Sequence, residues 1–169
     1  MSISTDKSVS VDGWDLDLGQ LSRDDTTGKL AVDTDTARAT FRSEEGERNY
    51  TLANAHFHAP GEHAIEGRLA DLEIHSVFRR LGRTYADYLV VGVMFDLDID
   101  APDDPFLTQI DASQATATGY YSIINVPFKD FYSWASPKEK FNYQGSLTTP
   151  TCTEDVEWFV VKDLSLIHI

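Results

Sequence analysis

The sequence predicts a mainly β, single-domain protein with a few short helices, and three observations carry that prediction. Short segments of alternating or continuous apolar character recur along the chain with turn residues between them. Residues 88–95 (YLVVGVMF) form an unbroken apolar run, as expected of a strand buried on both faces. Helical reading is invited only at 106–117 and 129–134. With 169 residues, 41% of them hydrophobic, the chain is long enough for one domain with a real core. There is no internal repeat and no linker to divide it.

The elements follow in chain order. Residues 1–50 are polar and punctuated by Asp, Ser, Thr and Gly, with modest strands at 29–32 and 37–41 and loops at Asp24-Asp25 and 43–47. Residues 51–58 (TLANAHFH) make a strand that Pro60-Gly61 ends, and Gly67 marks a further turn. Residues 71–79 alternate, with Leu72, Ile74 and Ser76 on one face and Glu73, His75 and Val77 on the other. A last strand is expected at 157–162.

Composition excludes several roles. Acidic residues outnumber basic ones 28 to 14, a formal charge of −14, so a phosphate backbone would be repelled and nucleic acid is not expected as a partner. No apolar run approaches the roughly 20 residues of a membrane-spanning helix, and residues 1–10 have no apolar stretch of the kind a secretion signal needs. Cys152 is the single cysteine, so neither an internal disulfide framework nor a cysteine-rich metal cage is available. The acidic stretch 96–104 (DLDIDAPDD) has Ala101 and Leu107 where a calcium loop of the EF-hand type needs Gly and Glu, and reads as a solvated loop.

The five histidines hold the chemistry. In an extended strand, residues two apart share a face, so His56 and His58 can present two imidazoles to one point. His75 lies on a second strand close enough in sequence to pair with the first. Three neutral imidazoles with a fourth position left open make a catalytic zinc pattern. Glu73 shares the face of His75 and can accept an imidazole N–H. Glu62 is a loop carboxylate after the Pro60-Gly61 turn. His63 is expected to point away from the cluster and to have no metal role.

Three motifs, AHFHAPGEH at 55–63, DLEIH at 71–75 and YQGSLTTP at 143–150, followed by Cys152-Thr153-Glu154 and Val156-Glu157-Trp158, resemble the α-class carbonic anhydrases. The resemblance runs from about Thr51 to Val161. It implies a large, twisted, mostly antiparallel sheet and zinc held by His56, His58 and His75. It implies that Glu73 holds the His75 ring, and that Asn54, where family members more often have Gln, orients His56. Thr148 would accept the proton of a zinc-bound hydroxide and donate to Glu62. Val77, Val90, Leu147, Val156 and Trp158 would line the apolar wall for carbon dioxide, with Thr149 touching bicarbonate. The implied activity is reversible hydration of carbon dioxide, and the alternative is a catalytically silent binding domain of the same family.

The chain also departs from the family pattern. Where the family usually has a proton-shuttling histidine, the alignment places Asp35 or Thr36; a carboxylate with an ordinary pKa near 4 is a poor shuttle at neutral pH. Turnover is therefore expected to be slower or more buffer-dependent. The family's Pro-Pro is Pro150-Thr151 here, and a cis bond at that pair is not expected. Residues 164–169 (LSLIHI) look like a translated sequencing adaptor. The expected organisation is thus a partial domain over 1–163 with a non-native tail at 164–169. The resemblance would pair Cys152 with a cysteine near the N-terminus of extracellular members, which suggests a secreted or periplasmic site for the full-length gene product.

Overall fold

The computed structural model describes residues 7–13, 16–23, 28–31, 37–83, 87–110, 119–126, 128–163 and 165–167. Among these, eleven strands form one sheet: β1 (Ser8–Gly13), β2 (Leu16–Arg23), β3 (Gly28–Ala31), β4 (Ala37–Ser43), β5 (Gly46–His58), β8 (Leu72–Arg80), β9 (Tyr88–Leu97), β10 (Gly119–Val126), β11 (Lys140–Gly145), β12 (Val156–Val161) and β13 (Ser165–Ile167). A small hairpin, β6 (Ala64–Ile65) with β7 (Arg68–Leu69), fills the connection between β5 and β8. The main path runs β10-β2-β3-β5-β8-β9-β12-β11, with β4 also on β5, β1 on β4 and β13 on β9. Pairing is antiparallel except that β12 and β13 both join β9 in parallel. The mainly β fold and mostly antiparallel sheet are as the sequence predicts. Residues 165–167, expected to belong to a non-native tail, lie as a strand beside Phe95, Asp96 and Leu97.

Strand β9 is the apolar run, and every residue from Leu89 to Asp96 is buried. It lies in the interior of the sheet, between β8 and the parallel pair β12 and β13. Two helices accompany the sheet. Helix α1 (Pro105–Ile110) begins where Asp104 Oδ1 accepts the N–H groups of Phe106 and Leu107 at 2.9 Å, with Pro105 in the first turn, where its missing N–H costs nothing. The predicted helix at 106–117 is thus described as far as Ile110. The second, α2 (Phe128–Ala135), covers the predicted 129–134. The acidic stretch supplies the α1 cap, and Arg68 pairs with Asp96.

The sheet separates two apolar clusters. On one side Phe41, Tyr50, Leu52, Ile74, Phe78, Leu89 and Phe159 pack with Phe106, Phe128, Phe131 and Tyr132 from the helices. On the other, Val77, Val90, Met94, Val156, Trp158 and Val160 form a smaller cluster, joined by Tyr143 and Leu147. The Pro150–Thr151 peptide bond is cis, which corrects the sequence expectation. It lies in a loop closed by backbone bonds from Leu147 N–H to Thr153 O and from Cys152 N–H to Thr149 O, each 2.8 Å.

Candidate metal centre

Strand β5 does not alternate uniformly. Leu52 faces Phe78 and Asn54 faces Val77, so Ala53 is an extra residue in the ladder, a β-bulge. Before it, Tyr50 and Leu52 point into the large core; after it, Ala55 and Phe57 do. The bulge thereby turns Asn54, His56 and His58 to the opposite face. His56 then lies directly across from His75 on β8.

The three imidazoles converge. Ring centroids are 5.0 Å apart for His56 and His58, 5.3 Å for His56 and His75, and 4.7 Å for His58 and His75. One nitrogen from each lies within 4.8 Å of the others, a group that could hold a metal ion. The hydrogen bonds decide which nitrogens face inward. Asn54 Oδ1 lies 3.0 Å from His56 Nδ1, so Nδ1 donates and Nε2 keeps its lone pair. Nε2 of His75 donates to Glu73 Oε1 at 2.9 Å, and its Nδ1 is buried with no hydrogen-bond partner. A buried, unpartnered imidazole nitrogen aimed at two other imidazoles is costly unless something electrophilic occupies the point between them. The residues present therefore fit a zinc ion.

Glu73 is the hub behind this group. It is fully buried, between Gly61 and Gly92; a Cβ on either glycine would sit 3.2 Å or 3.0 Å from a Glu73 carboxylate oxygen. Oε2 accepts the backbone N–H groups of Glu62 at 2.8 Å and His63 at 2.9 Å. Oε1 accepts both His75 Nε2–H and His63 Nδ1–H, the latter at 2.5 Å. Burial pushes the carboxyl's pKa up, but the hydrogen bonds donated by His63 and His75 outweigh it and hold the group well below the usual carboxylate range. His63, Glu73 and His75 also come close enough to count as a metal-sized group. Their atoms are already spent on one another, because Oε1 lies between two N–H donors.

His63 is thus not remote from the cluster. Its side chain is 10% exposed, and its Nε2 lies 2.7 Å from the Tyr143 hydroxyl. Burial, with the charges of Glu73 and Glu62, raises the Tyr143 phenol to about 12, so it stays protonated and donates. Neither His63 nor Tyr143 was assigned a role from sequence. The available signal was the position of His63 in a short connection between two histidine-bearing strands, where a buried imidazole must find partners.

The remaining candidates fall into two groups. Val77, Val90, Val156, Trp158 and Leu147 come together in the smaller apolar cluster beside the histidines, where Trp158 meets His75 edge-on at 4.8 Å. Trp158 Nε1–H donates to Ser146 O at 3.0 Å, which fixes its ring. Thr148 and Thr149 are exposed on the loop after Leu147. The Glu62 carboxylate is 3.3 Å from His58 Nδ1 and 3.9 Å from His75 Nδ1, and makes no hydrogen bond to Thr148. Asp35 and Thr36, the positions aligned with a proton shuttle, and His168 lie outside the described residues.

A family model described as eukaryotic-type carbonic anhydrase matches residues 3–168. Alpha carbonic anhydrase 4 of Arabidopsis thaliana is 35% identical over 137 residues, covering 80% of this chain and 46% of that protein. Dioscorin DB3L of Dioscorea polystachya is 29% identical over 160 residues, covering 83% of this chain and 56% of that protein. The solved structure of a fungal alpha carbonic anhydrase from Aspergillus oryzae superimposes with a TM-score of 0.81 at 24% identity, covering 96% of this chain and 66% of that one. The chain spans about half the length of the curated relatives it matches.

Proposed function

Because the chain belongs to the eukaryotic-type carbonic anhydrase family, we propose that it catalyses the reversible hydration of carbon dioxide to bicarbonate at a zinc site formed by His56, His58 and His75. The observation that carries this reading is the buried, unpartnered Nδ1 of His75, directed into the group it forms with His56 and His58. Zinc, when bound, supplies a Lewis acid that lowers the pKa of a coordinated water from about 15.7 to about 7, providing a nucleophile at neutral pH.

The chain's own residues do the rest. Asn54 and Glu73 fix the tautomers of His56 and His75, so that each ring offers a lone pair and no charge. Three neutral ligands would leave the full charge of a bound ion uncompensated. Val77, Val90, Leu147, Val156 and Trp158 provide a wall suited to an uncharged, apolar substrate and unsuited to the charged product. In this reading the Thr148 hydroxyl accepts a hydrogen bond from the attacking hydroxide and donates its own to Glu62, which would aim the hydroxide's lone pair at the substrate, and Thr149 contacts bicarbonate. Glu62 now faces His58 and His75, so that relay requires its side chain to swing toward Thr148.

The second reading is a binding domain without turnover: a dioscorin is among the relatives, and a dioscorin of similar fold is complexed with ascorbate. Carbon dioxide hydration by the zinc-loaded chain, measured at two buffer strengths with a sulfonamide control, separates the two. Sulfonamide-sensitive hydration that falls in Thr148→Ala while zinc is retained supports the enzyme. A folded chain with one zinc and no hydration supports the binding domain.

A further inference from the structure

Resting on the three-imidazole centre proposed above, we infer that His63, anchored by Tyr143, is a positioning residue that sets the direction in which His75 presents its Nδ1. The polarity of the chain of hydrogen bonds is fixed from end to end. Tyr143 O–H donates to His63 Nε2, and His63 Nδ1–H donates to Glu73 Oε1, the oxygen that also receives His75 Nε2–H. Oε2 is occupied by two backbone N–H groups, so the carboxylate cannot turn to offer His75 another oxygen. What remains to hold Oε1 in place is the His63 ring on one side and the bare backbone of Gly92 on the other, where a Cβ would come within 3.0 Å.

Tyr143 in turn is held from a different part of the sheet. It sits on β11 opposite Trp158 of β12, with the two rings stacked at 5.9 Å and 6°. Gly145 makes room for it, since a Cβ there would lie 2.7 Å from Tyr143 Cε2. His63 also touches Trp158 edge-on at 5.1 Å. The wall strand and the ligand strand are therefore joined through His63, and the joint ends on a ligand rather than in the core. Loss of such an outer partner typically weakens a metal site about 10–100-fold.

The test is zinc affinity by chelator competition, with the absorption spectrum of the cobalt-substituted chain, for the parent and for His63→Ala, His63→Asn and Tyr143→Phe. The expected result is about a 10–100-fold loss for His63→Ala, partial recovery in His63→Asn, whose amide can still donate to Glu73, a smaller loss for Tyr143→Phe, and an altered cobalt spectrum in His63→Ala. Parent-like affinity and spectrum in a folded His63→Ala overturn the inference. If that variant does not fold, Tyr143→Phe decides, because it removes one oxygen: unchanged affinity and spectrum overturn it, a loss supports it. A parent that binds no zinc overturns the three-imidazole centre itself and this inference with it. Zinc lost in His75→Ala but kept in all His63 and Tyr143 variants overturns this inference alone.

Discussion

The two faces of strands β5 and β8 are built by opposite rules. The helix side is an aromatic core: Phe106 stacks on Phe131 at 4.4 Å, Phe128 on Tyr132 at 5.6 Å, and Tyr132 O–H donates to Ser76 at 2.9 Å. The histidine side buries Glu73, His75 and His58 among valines and a tryptophan. An apolar face can be rebuilt from many residues of similar volume. A buried polar face works only when each donor meets its acceptor, because an unmet buried group costs about 1–3 kcal/mol. Stability is thus concentrated on one side of the sheet and chemical specificity on the other.

The largest effect is expected on the histidine side, from His75→Ala, which removes one of the three converging imidazoles. Tight zinc binding should be lost, by chelator competition, from a chain that still folds in urea melts; retained zinc, or loss of the fold, would break the comparison. Next, Phe78→Ala on the helix side should cost about 3–5 kcal/mol in denaturant melts, yet leave one zinc per chain under folding conditions. Loss of zinc without loss of stability would invert the roles of the two faces.

A third experiment uses pH. The Glu73 carboxyl is held below its ordinary value, so its contribution to the metal-free fold is complete above about pH 4.3 and is lost as pH falls below that. Urea melts from pH 7 to pH 3 should therefore show the difference between parent and Glu73→Gln shrinking toward acid; a constant difference would remove Glu73 from the linkage. The smallest effect is expected for Tyr132→Phe, about 1 kcal/mol by thermal melt with zinc affinity unmoved.

Much of this was legible in the sequence for reasons that the two faces explain. The period-two pattern of 71–79 assigned Ile74 and Ser76 to one side and Glu73, His75 and Val77 to the other, as found. The run 88–95 marked a strand buried on both faces. The bulge was not legible, because Leu52-Ala53-Asn54 contains no Gly or Pro to announce it; only the pairing with β8 creates it. The role of His63 was hidden for a similar reason. Its partners are ten and eighty positions away, and sequence spacing says nothing about a bond that the sheet has to assemble. The cis bond at Pro150–Thr151 likewise belongs to a closed loop rather than to a local preference of the two residues.

The parallel pairing of β9 with β12 and β13 also has a kinetic side. One edge of β9 is satisfied early in the chain by β8, its antiparallel neighbour and the strand just before it in sequence. The other edge, along the most apolar run in the molecule, must wait for strands synthesised some sixty residues later. Distant pairings close slowly, since chain entropy is lost before the contact rewards it. In the interval the unpaired edge from Leu89 to Gly92 is a template for another chain, and recovery on refolding should fall steeply as protein concentration rises.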